Sequence, residues 1–445
     1  MLVPLLQELD DSILNDSSLT PAILKQLSAT ERELGLVFGD RPTCPFLRPH
    51  ILPRSLYDEL ARAAQVVAGA VEKVVAQALV RDDLMVSLGL TGPEARMARI
   101  DPGYGGLCVS SRLDAYAGDS SLKFLEYNAE TPAGVGDQKQ LEQIVLKLPQ
   151  VRRLLDSHPH WRPAPHRRLL QALLTAYREW GGTEDHPQIA IVDWKGVATE
   201  SEFHVLKHYF ESEGCPTIIC DPGELADDKV LRCGEFRIDV VYKRVIIHEF
   251  LDRCGVEHPL ARAYADGRVC VINSFRTKMA HKKAVFAILS DPAFAHLFTS
   301  PEVNVLRQCI PWTRRVVDTT TTFDGGDRGL LELIRREQDR FVLKPNDDYG
   351  GHGVLLGWET AAADWQQAIA IALQRPYVVQ ERVPAHKISI PTFTDRVIAA
   401  ELFVDVNPFL FNNEVEGALI RLSSSSLLNT SAGGGQTALV VLEGM

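Results

Sequence analysis

The sequence predicts a mixed α/β protein, α+β in its less regular parts, built either from two to four domains or as one large composite fold. Three observations carry this prediction. A chain of 445 residues exceeds what one hydrophobic core usually organises. Between about residues 185 and 275, short apolar runs flank an amphipathic run, which is the β-α-β order of an open parallel sheet. On either side, stretches with helical periodicity give way to short alternating runs broken by glycine.

The first 84 residues are predicted to form a helical N-terminal segment. Residues 55–80 carry apolar side chains three and four positions apart among good helix formers. From about 85 to 130 the short runs at 95–116 and 120–130 are interrupted by Gly, Asp and Ser, and we interpret them as strands joined by turns. Residues 140–182 predict helices again, with a proline-containing break.

The last third of the chain predicts a second strand-rich region. Residues 341–357 are interpreted as a strand, a glycine-rich turn and a second strand. A helix is predicted at 364–373 and an apolar strand at 375–383. The remainder alternates strands and turns.

Composition and charge exclude several classes of function. Lys and Arg number 47 and Asp and Glu 58, so the net charge of −11 disfavours general nucleic-acid binding. The eight cysteines contain no Cys-x-x-Cys pair and predict reduced thiols. An acidic N-terminus argues against a signal peptide, and charged or polar residues interrupt the longest apolar runs. We therefore expect a cytoplasmic protein that binds small molecules, with neither nucleic acid nor membrane as a partner.

Lys344 stands near the end of an apolar strand, shortly before Gly350, Gly351 and Gly353. A lysine in this place is costly to bury unless an anion meets it, and glycines let backbone amides approach phosphate oxygens. The pattern favours a phosphate-binding hairpin. A surface hairpin whose lysine reaches solvent is the alternative.

Asp114, Glu126 and Asn128 form a second candidate group. Glu126 and Asn128 are two positions apart, so they share one face of a strand, and antiparallel pairing would bring Asp114 beside them. Two carboxylates and an amide oxygen suit Mg²⁺. Arg112 would face the same side and could neutralise charge on a transferred phosphoryl group. Unrelated charges on a sheet surface are the alternative.

Two further segments carry candidates. The apolar strand at 376–383 ends near Gln380 and Glu381 and could hold adenine and ribose, although an ordinary core strand has the same pattern. Arg421 and Asn429 precede a run of three glycines at 433–435, which suggests either backbone held close to a ligand or a flexible connection.

Together these motifs resemble the ATP-grasp superfamily. The block that contains Arg112, Asp114, Glu126 and Asn128 is very similar to the Arg-x-Asp and Glu-Tyr-Asn motifs of the synthetase domain of glutathionylspermidine synthase. In most ATP-grasp enzymes the metal motif follows the lysine and adenine motifs, whereas here it precedes them. The resemblance therefore implies a circularly permuted ATP-grasp fold. It divides the chain into the N-terminal segment 1–84, a metal-binding part at 85–150, a pre-ATP-grasp-like α/β domain at 151–275 and an ATP-binding part at 276–445.

The resemblance also implies roles for individual residues. It implies ATP and Mg²⁺ as cofactors, with the phosphates bound by Lys344 and by an earlier lysine, for which Lys283 is chosen and Lys278 and Lys282 are rivals. The remaining implied residues are Asp114, Glu126 and Asn128 for Mg²⁺, Arg112 and Arg421 for the reacting phosphate, Gly350, Gly351 and Gly353 above the phosphates, and Gln380, Glu381 and Val383 around the nucleotide.

The implied activity is ATP-dependent amide formation between a small-molecule carboxylate and an amine, through an acyl phosphate. The polyamine-binding acids of the named family have no identified counterpart here. An ATP-grasp kinase shares every motif, and a non-catalytic nucleotide-binding protein of this fold is a further alternative. A Rossmann oxidoreductase is disfavoured because no GxGxxG follows a strand and opens a helix. Asp193, at the end of the first strand of the α/β segment, is expected to help hold a substrate.

Overall fold

The fold is described from a computed structural model that covers residues 2–118, 121–426, 428 and 433–444. Asn429 lies outside the described residues. The helices are α1 (Leu2–Leu14), α2 (Pro21–Glu33), α3 (Arg54–Val80), α4 (Asp82–Leu88), α5 (Gly92–Ala98), α6 (Asp137–Val145), α7 (Pro149–Ser157), α8 (Pro165–Glu179), α9 (Glu200–Ser212), α10 (Ile247–Cys254), α11 (Pro259–Ala265), α12 (Lys278–His281), α13 (Ala284–Leu289), α14 (Ser300–Cys309), α15 (Leu330–Arg336) and α16 (Ala362–Ala372).

Strands alternate with these helices along the chain. They are β1 (Val37–Phe38), β2 (Arg41–Pro42), β3 (His50–Pro53), β4 (Ser110–Gly118), β5 (Ser121–Asn128), β6 (His160–Trp161), β7 (Ile189–Val192), β8 (Thr217–Cys220), β9 (Leu225–Asp227), β10 (Leu231–Cys233), β11 (Phe236–Arg237), β12 (Val240–Lys243), β13 (Cys270–Ile272), β14 (Thr313–Arg315), β15 (Thr320–Phe323), β16 (Gly326–Gly329), β17 (Phe341–Pro345), β18 (Leu355–Leu356), β19 (Tyr377–Glu381), β20 (His386–Phe393), β21 (Val397–Phe411), β22 (Glu414–Ser423), β23 (Gly435–Thr437) and β24 (Leu439–Leu442).

The α/β segment contains a four-stranded parallel sheet in the order β13-β12-β7-β8. The strands β7, β12 and β13 are buried on both faces, as parallel strands covered by helices are expected to be, and β8 is partly buried. Helix α9 connects β7 to β8, and α8 packs against β12 and β13. The β-α-β order predicted from the sequence is confirmed in this region.

A six-stranded antiparallel sheet joins distant parts of the chain. Its order is β23-β22-β21-β4-β5, with β20 paired to β21. Two strands come from residues 110–128 and four from residues 386–437. The sheet therefore places the early candidate residues on the same surface as Arg421.

Helix α3 packs against β21 and β22 of this sheet. The described residues contain this one helix long and apolar enough to cross a membrane, and half of its most apolar window is buried inside the protein. Val67, Val71 and Val74 of α3 are fully buried in the largest core cluster, so the sheet and its neighbours cover the apolar face of the helix.

A smaller antiparallel sheet carries the glycine-rich turn. Its order is β14-β19-β17-β18, and α15 and α16 cover it around the fully buried Trp365. The strand, turn and strand predicted at 341–357 are present as β17 and β18. A cavity separates this sheet from the β4–β5 pair, and β4, β5, β17, β18 and β19 all contribute to its wall.

The strand interpretation of residues 95–99 is wrong. These residues belong largely to the short helix α5, whose N-terminus has a capping box. The Glu94 carboxylate accepts a hydrogen bond from the Thr91 amide at 2.8 Å, and the Thr91 hydroxyl accepts one from the Glu94 amide. The Thr-x-x-Glu spacing is a helix-start signal that outweighs the alternating run after it.

Candidate active site

Residues predicted from widely separated segments meet in one cavity of about 380 Å³. It lies between the β4–β5 hairpin and the β17–β19 pair. All the predicted site residues except Gly353 line it, namely Arg112, Asp114, Glu126, Asn128, Lys283, Lys344, Gly350, Gly351, Gln380, Glu381, Val383 and Arg421.

The early acidic group occupies adjacent strands. Asp114 of β4 stands opposite Glu126 of β5, and Arg112 stands opposite Asn128. The Arg112 Nε donates to Asp114 Oδ1 at 2.8 Å, and the Asn128 amide donates to the same oxygen at 2.9 Å. Antiparallel pairing thus brings three oxygen-bearing side chains to one face, as the spacing predicted.

An irregularity in β5 shapes the floor of the cavity. The pairing passes from Asp114–Glu126 directly to Ala115–Phe124, so Leu125 is an extra residue of a β-bulge. Its carbonyl oxygen accepts hydrogen bonds from Lys344 Nζ and Gln380 Nε2, both at 3.3 Å. Lys344 also donates to the Gln380 side-chain oxygen at 2.7 Å. These hydrogen bonds to the bulge connect the two sheets beside the carboxylates of Asp114 and Glu126.

Arg421 connects the two ends of the chain. Its Nη2 lies 2.7 Å from Asp114 Oδ2 and 2.6 Å from Asp405 Oδ2. Asp405 is 2 % exposed and also accepts a hydrogen bond from Asn407 at 2.6 Å. Sequence reasoning missed Asp405. It lies two positions from Asn407 in β21, which also contains Glu401, and no motif distinguishes it.

The charges in the cavity shift the pKa values of its residues. Burial alone would raise the pKa of Asp114, but Arg112 and Arg421 outweigh it and hold this pKa well below its usual range. The pKa of Glu126 is lowered because Lys283 and Lys344 together outweigh burial. Burial lowers the pKa of Lys344 to about 8, although Glu126 opposes this effect. The cations thus favour the ionised form of both carboxylates, and an anionic ligand would raise the pKa of Lys344 again.

The structure places Lys283 differently from its rivals Lys278 and Lys282. Lys283 lines the cavity, where its Nζ donates to the Asp348 carbonyl at 2.6 Å and lies 3.7 Å from Glu126. Lys278 and Lys282 are buried behind it and pair with Asp347. Of the three, Lys283 has an ammonium group positioned for a ligand in the cavity.

The glycine-rich turn closes one side of the cavity. Gly350 and Gly351 line it and have φ values of +67° and +76°, which only glycine adopts readily. Gly353 also has positive φ but lies behind the turn, where a Cβ would come within 2.8 Å of Pro345. Tyr349 anchors the turn by donating to Glu249 of α10 at 2.7 Å.

Apolar side chains also form part of the cavity wall. They are Val342, Leu356, Val383, Phe403 and Leu428. Glu381 pairs with Arg340 at 3.3 Å. A flat heterocycle would find apolar contacts there, while the charged groups of the cavity would remain available to phosphates.

The residues around Asp114 fit a hard divalent cation. The side chains of Asp114, Glu126 and Asn128 line one cavity, and carboxylate and amide oxygens are donors that Mg²⁺ prefers. A second group, Glu130, His281 and Asp347, also brings ligand atoms within 4.8 Å of one another. There the Lys278 ammonium lies 2.9 Å from Glu130 and 2.6 Å from Asp347, and it already supplies the positive charge.

A second cavity, of about 430 Å³, adjoins the first and shares Arg112, Asn128, Gly350 and Arg421 with it. It lies at the carboxyl ends of β7 and β12. Asp193 lines this second cavity rather than the first.

Comparison with known proteins gives a consistent picture. The chain is 25% identical over 343 residues to a candidate glutamate–cysteine ligase of Frankia casuarinae, covering 72% of this chain and 36% of that protein. A candidate glutamate–cysteine ligase of Frankia alni is 27% identical over 270 residues, covering 56% of this chain and 29% of that protein. The chain thus spans about a third of the length of the curated relatives it matches. No family model matches the sequence.

A solved structure matches nearly the whole chain. A glutathione synthetase-like effector from Globodera pallida superimposes with a TM-score of 0.58 and 14% identity, over 96% of this chain and 98% of that one. The permuted order of the motifs is not tested by this match and stays a prediction. The chain has a mixed α/β fold like that of this glutathione synthetase-like effector.

Proposed function

We propose that the protein is an ATP- and Mg²⁺-dependent carboxylate–amine ligase that releases ADP and phosphate. The observation that carries this proposal is the single cavity in which Asp114 and Glu126 face Lys283 and Lys344 beside a glycine-rich turn. Arg112 and Arg421 line the same cavity and would contact a reacting phosphoryl group. The named relatives support a ligase, although the chain matches only about a third of each.

Each group in the cavity has a proposed role. Asp114, Glu126 and Asn128 would hold Mg²⁺, which when bound supplies positive charge to the nucleotide phosphates. Lys283 and Lys344 would bind the phosphates as cations, and the amides of Gly350 and Gly351 would cover them. The apolar side chains of the cavity wall, together with Gln380, Glu381 and Val383, would contact the adenine and ribose.

The proposed reaction has two steps. A substrate carboxylate oxygen attacks the γ-phosphorus, and the bond from that phosphorus to the oxygen of ADP breaks, which gives an acyl phosphate. The nitrogen of a neutral amine then attacks the acyl carbon, the carbon–oxygen bond to phosphate breaks with its electron pair on phosphate, and the nitrogen loses one proton. Arg112 and Arg421 would stabilise the charge on the transferred group, and the glycine-rich turn would exclude water from the acyl phosphate.

A finer proposal concerns the family. The Arg112–Asp114 and Glu126–Asn128 motifs support a relationship to the synthetase domain of glutathionylspermidine synthase, with the motif order of a permuted ATP-grasp enzyme. Because the chain covers about a third of its named relatives, their glutamate and cysteine substrates are not carried over to it. We place the protein in the cytoplasm, a location supported by its eight free cysteines.

The test is a substrate screen with product analysis. Candidate acids and amines are incubated with ATP and Mg²⁺, released ADP and phosphate are measured, and products are identified by mass spectrometry. An amide with one ADP per bond is expected. A stable phosphorylated product would identify a kinase instead. Asp114→Asn and Glu126→Gln should each abolish ATP turnover while leaving the circular dichroism spectrum unchanged, and near-normal turnover in both would refute the metal assignment.

A further inference from the structure

A third cavity, of about 460 Å³, lies beside residues 381–384 at the end of β19. These four residues line both this cavity and the first one. The rest of its wall comes from β5, from residues 289–298, from α14 and from residues 310–312. None of the residues proposed to bind Mg²⁺ or phosphate lines it, so the proposed reaction leaves this cavity unused.

The wall of the third cavity is largely apolar. More than half of its described lining residues are apolar, among them Phe298, Leu306, Ile310 and Trp312, and Leu306 and Ile310 are buried. The Nε1 of Trp312 donates to the Thr322 carbonyl at 3.0 Å, so the polar edge of the indole already has its partner. A concave wall of this kind favours a ligand with an apolar body.

The carboxylates of the wall already have cationic partners. Asp291 Oδ2 lies 3.6 Å from Arg314, and Glu381 Oε1 lies 3.3 Å from Arg340. Asp291 also accepts a hydrogen bond from the Ala293 amide at 3.0 Å. These two negative charges are therefore balanced by arginines that do not line the cavity.

The cations of the wall have no such balance. Lys123, Arg307 and Arg382 line the cavity, and within the part of the chain that the structure describes none of them forms an ion pair. Lys123 Nζ donates to the Gln308 carbonyl at 2.6 Å, and the Arg382 guanidinium lies 4.1 Å from the centre of the Trp358 ring, but neither contact supplies a negative charge. In a chain whose net charge is −11, this local excess of positive charge favours an anionic ligand.

The backbone of residues 381–384 is held from the side of the third cavity. The Glu381 amide donates to the Trp312 carbonyl at 2.8 Å, and the Arg382 amide donates to the Arg340 carbonyl. Trp312 is itself a wall residue. A ligand that contacts this wall therefore acts on the segment that would also contact the nucleotide, which is the condition for coupling between two sites.

We propose that the third cavity is an effector site for a small amphipathic anion, an apolar chain that ends in one carboxylate, and that this anion binds together with the nucleotide. The apolar wall would contact the chain, and Lys123, Arg307 and Arg382 would attract the carboxylate. Binding of the anion does not depend on the proposed ligase function. Its effect on the nucleotide rests on that function, because the effect requires a nucleotide in the first cavity.

Matched probes test the class of ligand. Octanoate, 1-octanol and octylamine have the same chain and differ in charge, and butanoate keeps the carboxylate but lacks four CH₂ groups. Binding to the full-length protein is measured by calorimetry. We expect one octanoate per chain, bound at least tenfold more tightly than the other three probes, since each buried CH₂ group tightens binding by up to about fourfold. Equal binding of the alcohol or the amine, or no binding of octanoate, would overturn the proposal.

A second titration tests the effector role. The Kd of a non-hydrolysable ATP analogue with Mg²⁺ is measured with and without saturating octanoate. We expect this Kd to change by about threefold or more, to a limiting value, and the analogue to change the Kd of octanoate by the same factor, because coupling is reciprocal. An unchanged Kd, or one that rises without limit as in direct competition, would refute the effector role. Octanoate binding without any binding of the analogue would instead refute the proposed function and leave the anion site standing.

Variants locate the site. Ala295→Trp, which fills the cavity, should weaken octanoate binding at least tenfold, and Arg307→Met, which removes a cation, should weaken it about threefold or more. The matched controls are Ala293→Trp, in the same short helix (Pro292–Leu297), and Arg335→Met, on α15. Neither control residue lines the third cavity, so both should bind octanoate like the wild type. Unchanged octanoate binding in both site variants would refute the assignment, and circular dichroism checks that each variant is folded.

Discussion

At the scale of single residues, the site depends on arginines held between carboxylates. Arg421 lies between Asp114 and Asp405, and this arrangement raises the pKa of its guanidinium despite burial. Removing one carboxylate would leave a buried charge partly unpaired, which is costly. The sequence could predict Asp114 because it belongs to one motif with Glu126 and Asn128. It could not predict Asp405, because nothing in a long apolar strand shows which polar residue will meet an arginine of the next strand.

The three lysines provide the first prediction. Lys283→Met should weaken binding of an ATP analogue at least tenfold, because Lys283 has its ammonium group in the cavity. Lys278→Met should instead destabilise the fold by about 3–5 kcal/mol, since it leaves Glu130 without its buried partner and removes one of the two lysines that pair with Asp347. Calorimetry and urea denaturation of both variants separate the two effects. Wild-type affinity in Lys283→Met would show that another lysine binds the phosphates.

At the scale of elements, the hairpins follow from sequence pattern but their irregularities do not. The β17–β18 strands were predictable because apolar runs flank a glycine cluster. The bulge at Leu125 was not, because Leu125 continues the run of large side chains, and the extra residue is visible only in the register against β4. That bulge presents the carbonyl oxygen that Lys344 and Gln380 use. A one-residue change in register therefore determines how the two sheets meet.

The glycine-rich turn gives the second prediction. Gly351→Ala and Gly325→Ala place a Cβ on residues with nearly equal φ values, +76° and +75°. Each should cost about 1–2 kcal/mol of stability. Gly325 lies in the β15–β16 turn, away from both cavities, and a Cβ there would have open space. Only Gly351→Ala should raise the KM for ATP, by about tenfold or more, as steady-state kinetics would show. An equal rise in both variants would mean that the turn does not contact the nucleotide.

A buried carboxyl of α2 gives a prediction for pH. Glu31 is 2 % exposed, and burial raises its pKa from an ordinary value of 4.5 to about 7, although it accepts a hydrogen bond from the Cys44 amide. The folded state therefore keeps a proton that the unfolded state loses between these values. The stability that protonated Glu31 contributes is fully present below about pH 4.5 and is lost as the pH rises through 7.

Glu31→Gln removes the titrating carboxyl group and should therefore remove its contribution to the pH dependence of stability. As the pH rises from 5 to 8, the free energy of unfolding of the variant should increase relative to that of the wild type. The increase should be roughly 3 kcal/mol at most, since one pKa unit corresponds to about 1.4 kcal/mol. Urea denaturation at both pH values measures the difference, and other titrating groups cancel in the comparison. A constant difference would show that Glu31 is ionised throughout this range.

At the scale of the whole molecule, strands near the C-terminus pair with strands from the first third of the chain. β24, near the C-terminus, pairs in parallel with β3 of the N-terminal segment, and β21 pairs with β4. The family resemblance predicted that early acidic residues and late lysines meet. It could not predict the β3–β24 pairing, because short apolar runs carry no information about which distant run they will contact. Strand pairings at long sequence separation are determined by the complete core.

This closure leads to the last prediction. A bound nucleotide should protect both ends of the chain in the same titration, because the cavity wall includes β5 as well as β17 and β19. At a ligand concentration one hundred times the Kd, binding contributes about 2.7 kcal/mol, so amides exposed by opening of the cavity should exchange about one hundredfold more slowly. Hydrogen exchange followed by mass spectrometry, with a non-hydrolysable ATP analogue, measures peptides from residues 121–128, 341–345 and 377–381. Helix α1 contributes no residue to this cavity and serves as the internal reference.

Chelation of Mg²⁺ should reduce protection first in the 121–128 peptide, since Glu126 and Asn128 belong to the proposed metal group. Protection confined to residues 341–381 would mean that nucleotide binds to the smaller sheet alone, and the early acidic residues would then need a different role.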